Sequence, residues 1–179
     1  MNEATTLLID AKDIATYAQI AVNAREEMLF PYIVAAQNLD IKPVLGNALM
    51  TDLLTNRTDE KYRTLLEGGT YTDANDNTVT FQGLIAAISL FTYARYMFTK
   101  NAIDTPFGMV SKTIENSTPT DAKLIMSIAS AKRNEGGAYL SECIDFIKQN
   151  LDIYTLFESS CRTSSSTNFI HKLTPASKI

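Results

Sequence analysis

From residue 84 to residue 98 the chain is apolar apart from Ser89, Thr92 and Arg95. A segment apolar on nearly all sides must be hidden on all sides once it forms a helix. It falls short of the roughly 20 residues needed to span a bilayer, so the pattern predicts a buried helix over 82–102 at the centre of a bundle. The remaining segments must then pack around it.

They are built for that. Asp10 is a good helix N-cap with Asp13 three residues on, and Ile9 and Ile14 are placed as a hydrophobic staple, predicting a helix over 11–22. A second helix opens at Glu26 or Glu27, acids suited to the positive end of a helix dipole. Pro31 is tolerable in a first turn and would kink the helix deeper in. Leu29, Tyr32, Ile33, Ala36 and Leu39 form a stripe at helical spacing. Pro43 starts another helix, with Val44, Leu45, Leu49, Leu53 and Leu54 facing inward. A short helix over 59–67 is closed by Gly68 and Gly69. The β-prone residues around the turn-forming Asp73-Ala74-Asn75-Asp76-Asn77 predict a small hairpin at about 70–81. Thr120 is placed to cap a last long helix, whose apolar face is Leu124, Ile125, Ile128, Ala131, Tyr139, Leu140, Cys143, Ile144, Ile147 and Leu151. Gly136 and Gly137 within it mark either a kink or a close helix approach.

Two segments do not fit a plain bundle. A strap over 103–119 links the central and last helices, far longer than the about 2–8 residues such a connection needs. Its Phe107, Met109, Val110 and Ile114 are poorly suited to water, so it should pack on its own domain or on another subunit. The stretch 158–179 is Ser/Thr-rich and linker-like at first, then turns apolar at Phe169, Ile170 and Leu173, as a docking arm would. The expectation is therefore mainly α: a helical bundle with a small β-hairpin, a long inter-helix strap and an extended C-terminal arm. The domain covers 1–157 and the arm 158–179.

Chemistry is hard to find. The single histidine, His171, rules out a multi-histidine metal site within one chain, and its place in the tail makes an exposed, inert side chain the expected reading. Cys143 falls on an apolar stripe and reads as a structural thiol, while Cys161 has only Arg162 nearby to activate it. Asp73 to Asn77 begins like a calcium loop, but the glycine and glutamate that such a loop needs are replaced by Thr78 and Leu84. Glu26, Glu27, Asp59, Glu60, Glu142 and Asp145 sit at helix starts or on polar faces. Lys123, Lys132 and Arg133 read as a solvated face. A net charge of −4 argues against a dedicated nucleic-acid binder. The N-terminus has no signal-peptide character. The expectation is no enzyme, no cofactor, no metal site and no membrane.

Two stretches carry a likeness. Residues 36–46, Ala-Gln-Asn-Leu-Asp-Ile-Lys-Pro-Val-Leu-Gly, and 105–113, Thr-Pro-Phe-Gly-Met-Val-Ser-Lys-Thr, resemble passages of the head–tail connector (adaptor) proteins of tailed bacteriophages, crAss-like phages included. With the order of elements, the likeness spans roughly 11–157. The resemblance implies a virion protein made in the host cytoplasm and placed at the head–tail interface. It implies a homo-oligomeric ring, commonly twelve-fold, that docks on the portal and meets other connector or tail proteins. Genomic DNA would pass through the bore without sequence-specific binding. Phe107, Met109, Val110 and Ile114 would then meet a neighbour, and Phe169, Ile170 and Leu173 would anchor the arm. A monomeric assembly factor, a chaperone or regulator of tail assembly, is the other reading.

Overall fold

The computed structural model describes residues 6–20, 26–99, 102–105, 108–111 and 121–157, the two strands 102–105 and 108–111 by their backbone. It is a mainly helical bundle with a small hairpin. Helix α1 (Ala11–Tyr17) starts with the capping box foreseen: Asp10 accepts from the amides of Lys12 and Asp13, and Asp13 accepts from the Asp10 amide. Ile9 and Ile14 are both buried. The helix stops at Tyr17, short of the predicted end, and residues 21 and 22 lie outside the described ones.

Helix α2 (Glu26–Ala36) carries Pro31 in its interior, not its first turn. Proline has no amide to offer the Glu27 carbonyl, a loss made tolerable because Glu27 is exposed to water. The chain then widens into a π-helical segment (Gln37–Ile41) before α3 (Lys42–Leu45) and α4 (Asn47–Thr55). This segment corrects the predicted stripe. Leu29, Ile33 and Ala36 are buried, but Leu39 is 62% exposed, and Gln37, Asp40 and Ile41 turn inward instead. A π turn advances the chain by more residues per turn than an α turn, so the inward phase shifts where the sequence pattern assumed it would continue.

Helix α5 (Glu60–Glu67) leads into β1 (Gly69–Thr72), paired antiparallel with β2 (Thr78–Phe81) in the register Gly69 to Phe81 and Thr72 to Thr78. The hairpin's base closes at Gly68 and Gly83, with φ of 86° and 78°. A Cβ at either would fall within 2.4–2.5 Å of the other strand's connecting backbone, so both the dihedral and the space demand glycine. On the hairpin sits an aromatic cluster: Phe81 stacks on Phe146 at 4.4 Å, and Tyr71 and Tyr154 meet Phe146 edge-on.

Helix α6 (Gly83–Thr99) is the central helix, buried along nearly its whole length. Ser89 and Thr92 are fully buried, and their hydroxyls lack a hydrogen-bond partner among the described residues, each at a cost of about 1–3 kcal/mol. Helix α7 (Ala122–Gln149) packs antiparallel against it as one unbroken helix. Its N-cap is Asp121, which accepts from the Lys123 amide; the predicted cap, Thr120, lies outside the described residues. Its buried face is Ile125, Ala129, Gly136, Leu140, Cys143, Phe146 and Ile147, whereas Leu124, Ala131 and Leu151, expected inside, are exposed.

The strap is not wholly irregular. Its start forms a second antiparallel hairpin, β3 (Ala102–Thr105) with β4 (Gly108–Ser111), in the register Ala102 to Ser111 and Thr105 to Gly108. The sequence reading missed it.

The two glycines of α7 give a paired test. A Cβ on Gly136 would stand 3.3 Å from the Ala87 carbonyl and from the Leu90 Cβ, while one on Gly137 meets nothing. Gly136→Ala should lower stability by about 1–3 kcal/mol through overpacking. Gly137→Ala should raise it by up to about 1 kcal/mol through helix propensity. Urea denaturation of the two variants reads both signs.

Candidate interaction surface at the strap end

The register between α6 and α7 decides what lies at this end. Gly136 faces Ala87, Leu90 and Phe91, and Arg133 stands over the Phe91 ring at 5.5 Å. Continued antiparallel at 1.5 Å per residue, this register sets Thr99, the end of α6, opposite about residue 125 of α7, so only about the first turn of α7 projects beyond it. Leu124 and Met126 lie at this end, exposed. Phe98, in the last turn of α6, is exposed as well. Tyr32 meets Tyr96 edge-on at 5.8 Å and pairs with the Thr99 hydroxyl, which brings the face of α2 that carries exposed Met28 beside the end of α6. Here too the β3–β4 hairpin leaves the bundle. Among the described residues its strands pair chiefly with each other, not with a helix.

Four large apolar side chains, Met28, Phe98, Leu124 and Met126, contributed by α2, α6 and α7, are thus exposed around the root of the strap. A soluble surface normally scatters such residues singly. Leu151, Ile153 and Leu156 are exposed on the far side of the molecule, where the last described residues follow α7. Of the seven interface residues expected from sequence, Met109 and Val110 fall on β4, where only the backbone is described. Phe107, Ile114, Phe169, Ile170 and Leu173 lie outside the described residues. So do His171 and Cys161.

A buried ionic clamp fixes the geometry behind this surface. Asp40, in the π segment, has a side chain only 2% exposed. Its Oδ2 accepts from Arg95 Nε at 2.9 Å, and its Oδ1 accepts from Arg95 Nη2 at 3.0 Å and Arg133 Nη2 at 2.7 Å. One carboxylate therefore ties the π segment to α6 and α7. Arg133, read from sequence as part of a solvated face, is half exposed as that reading expects, but its guanidinium also reaches buried Asp40; Lys132 pairs with Glu135. Gln37 does similar work for the N-terminal segment, its Oε1 accepting from the Leu8 amide and its Nε2 donating to the Thr6 carbonyl.

The other titratable groups are spent on structure. Burial pushes the Cys143 thiol up to about 12, with Glu142 adding to the effect, which suits a structural thiol and not a nucleophile. Asp52 accepts from Tyr62, Asn56 and Lys61, and these bonds, the one from Tyr62 foremost, hold its carboxyl below the usual range. Burial raises Tyr154 to about 12, and its hydroxyl donates to the Lys61 carbonyl at 2.6 Å. In the β1–β2 turn, Asp73 accepts from the amides of Asn75 and Asn77, so this carboxylate closes a turn. No cluster of three or more potential metal ligands occurs among the described residues. No described helix is long and apolar enough to cross a membrane.

A model of a family of unknown function, DUF6712, matches residues 41–167. No curated protein and no solved structure matches the chain.

Two outcomes are expected. Asp40→Asn should cost about 1–3 kcal/mol, because Arg95 loses its partner in a largely buried setting. Arg133→Met should cost less than about 1 kcal/mol, because the Arg133 side chain is 51% exposed. Urea midpoints of the two variants check the order. Alkaline pH should destabilise the fold. Cys143 ionises near 9.0 when unfolded and near 12 when folded, so its contribution is complete below pH 9 and is lost as pH rises towards 12. Tyr154, shifted from 10.0 to about 12, steepens the loss above pH 10. A stability profile flat from pH 8.5 to 11 would contradict this.

Proposed function

We propose that this chain, a member of the DUF6712 family, is a structural assembly subunit: one protomer of a phage head–tail connector ring. In this reading the ring docks on the portal, joins capsid to tail in the virion, and surrounds the path of the DNA. The observation that carries it is the strap end. A hairpin whose strands pair chiefly with each other leaves the bundle at the end where four large apolar side chains are exposed.

The physical case is one of area and symmetry. A small bundle has a limited flat surface, and a projecting hairpin adds interface that the bundle alone cannot offer. Heterologous contacts join one patch to a different patch on the next copy, and they close a ring when the rotation per subunit fits. Exposed apolar residues at the strap end and on the opposite side supply two such patches. The groups that would serve catalysis, Cys143, Asp52, Tyr62 and Tyr154, are committed to core and turn contacts. The likeness of residues 36–46 and 105–113 to connector proteins supplies the particular assembly: a ring, commonly of twelve, with portal and tail proteins as neighbours.

Phe107→Ser combined with Met109→Ser should abolish assembly, read as particle mass by light scattering or mass photometry, with helical circular dichroism unchanged. Assembly as efficient as that of the unaltered protein would remove the strap from the interface.

A further inference from the structure

Leu7, Glu26, Glu27 and Phe30 line an open groove of about 840 Å³ along the outer side of α2. Its floor is apolar, with Phe30 exposed to it. Both glutamates are exposed, and neither forms an ion pair among the described residues. Two exposed acids beside an exposed phenylalanine suit a ligand that is apolar and carries a cation. The chain itself contains such a segment: Phe169-Ile170-His171-Lys172-Leu173, three apolar residues around a lysine.

The arm also starts within reach. Tyr154, just before it, donates to the Lys61 carbonyl, and Arg57, one turn before Lys61, donates to the carbonyl of Leu7, itself in the groove wall. These contacts lead from the root of the arm to the groove across the α4–α5 connection. Phe169 lies twelve positions after Phe157, with eleven residues between them. Such a chain spans about 40 Å when extended and about 20 Å as a coil. A tether that spans its site without strain gives an effective concentration in the millimolar range, so a weak apolar contact suffices. The charges set register more than affinity. Glu26 also borders the adjoining depression, where Asp10 and Asp13 are occupied by the α1 cap and Arg57, the nearby cation, donates to the Leu7 carbonyl; Glu27 faces the groove alone.

We propose that residues 169–173 dock in this groove of their own chain, Lys172 against Glu26 and Glu27, and so hold the arm back until a neighbour takes it. This deepens the assembly reading: it names the partner of the arm in the unassembled subunit.

A zero-length carbodiimide cross-link tests it on dilute, full-length protein, mixed one to one from isotopically light and heavy preparations. The expected product joins Lys172 to Glu26 or Glu27 within one isotopic form. Cross-links joining light to heavy chains, or no cross-link between these residues, would overturn the proposal. As a second readout, tryptic cleavage after Lys172 should be about tenfold faster in the exposed-surface variant Glu26→Lys/Glu27→Lys, since cleavage follows the population of the undocked arm. An unchanged rate would also overturn it. Because both readouts are taken on the monomer, their failure leaves ring formation untouched; failure to form rings is read separately, by particle mass.

Discussion

The structure depends on burying α6. Other helices must cover a segment that is apolar on every side, and α7 does so at close range because Gly136 lets the two backbones approach over Ala87 and Leu90. The clamp of Asp40 on Arg95 and Arg133 acts within this packing. It joins three elements through one buried carboxylate, and it lies just below the end of the bundle where the strap departs. A buried ion pair is weak evidence for net stability, since desolvation cancels much of its attraction. Its better-attested use is to fix one arrangement over its neighbours. Here it fixes the register of α7 against α6, at whose end Leu124 and Met126 are exposed while Ile125 and Ala129 are buried.

This links packing to the proposed role. Docking through apolar side chains requires them to be presented on rigid elements, because ordering a loose segment costs about 1–2 kcal/mol per residue for the backbone alone. Met28, Phe98, Leu124 and Met126 sit on helices held by the core, so little further ordering is needed there. The hairpin has already met part of that cost through its own ladder. In the proposed docking of the arm, the acidic groove along α2 would extend the same logic to residues 169–173.

Much of the fold was legible from local signals. The Asp10 cap, the hairpin around Asp73 to Asn77, the closing glycine at residue 68 and the central helix follow from residue chemistry within a few positions of one another. What was not legible has physical causes. The π turn at Gln37–Ile41 shifts the phase of burial, so Leu39 was placed inside and Asp40 was overlooked. No helical periodicity can announce an inserted residue. Arg133 looked solvated because its partner is 93 residues away in the chain. At the start of α7, Ile125 and Ile128 do pack on the core, but Leu124, placed inside with them, is exposed, because neighbours in one stripe cannot be told apart by spacing alone. The β3–β4 hairpin was hidden in a segment whose prolines and glycine argued for irregular chain. For the surface itself, the sequence pointed to the strap but not to the helical residues around its root, since their exposure depends on where α6 ends against α7.

The central claim is that the strap end is an interface between protein subunits. Electron micrographs of the purified protein mixed with its portal test this most directly. The account predicts closed rings of this chain seated on the portal, in which the β3–β4 hairpin of each copy touches a neighbouring subunit. A chain that stays monomeric beside the portal at every concentration, with its strap in contact with no other subunit, would contradict it.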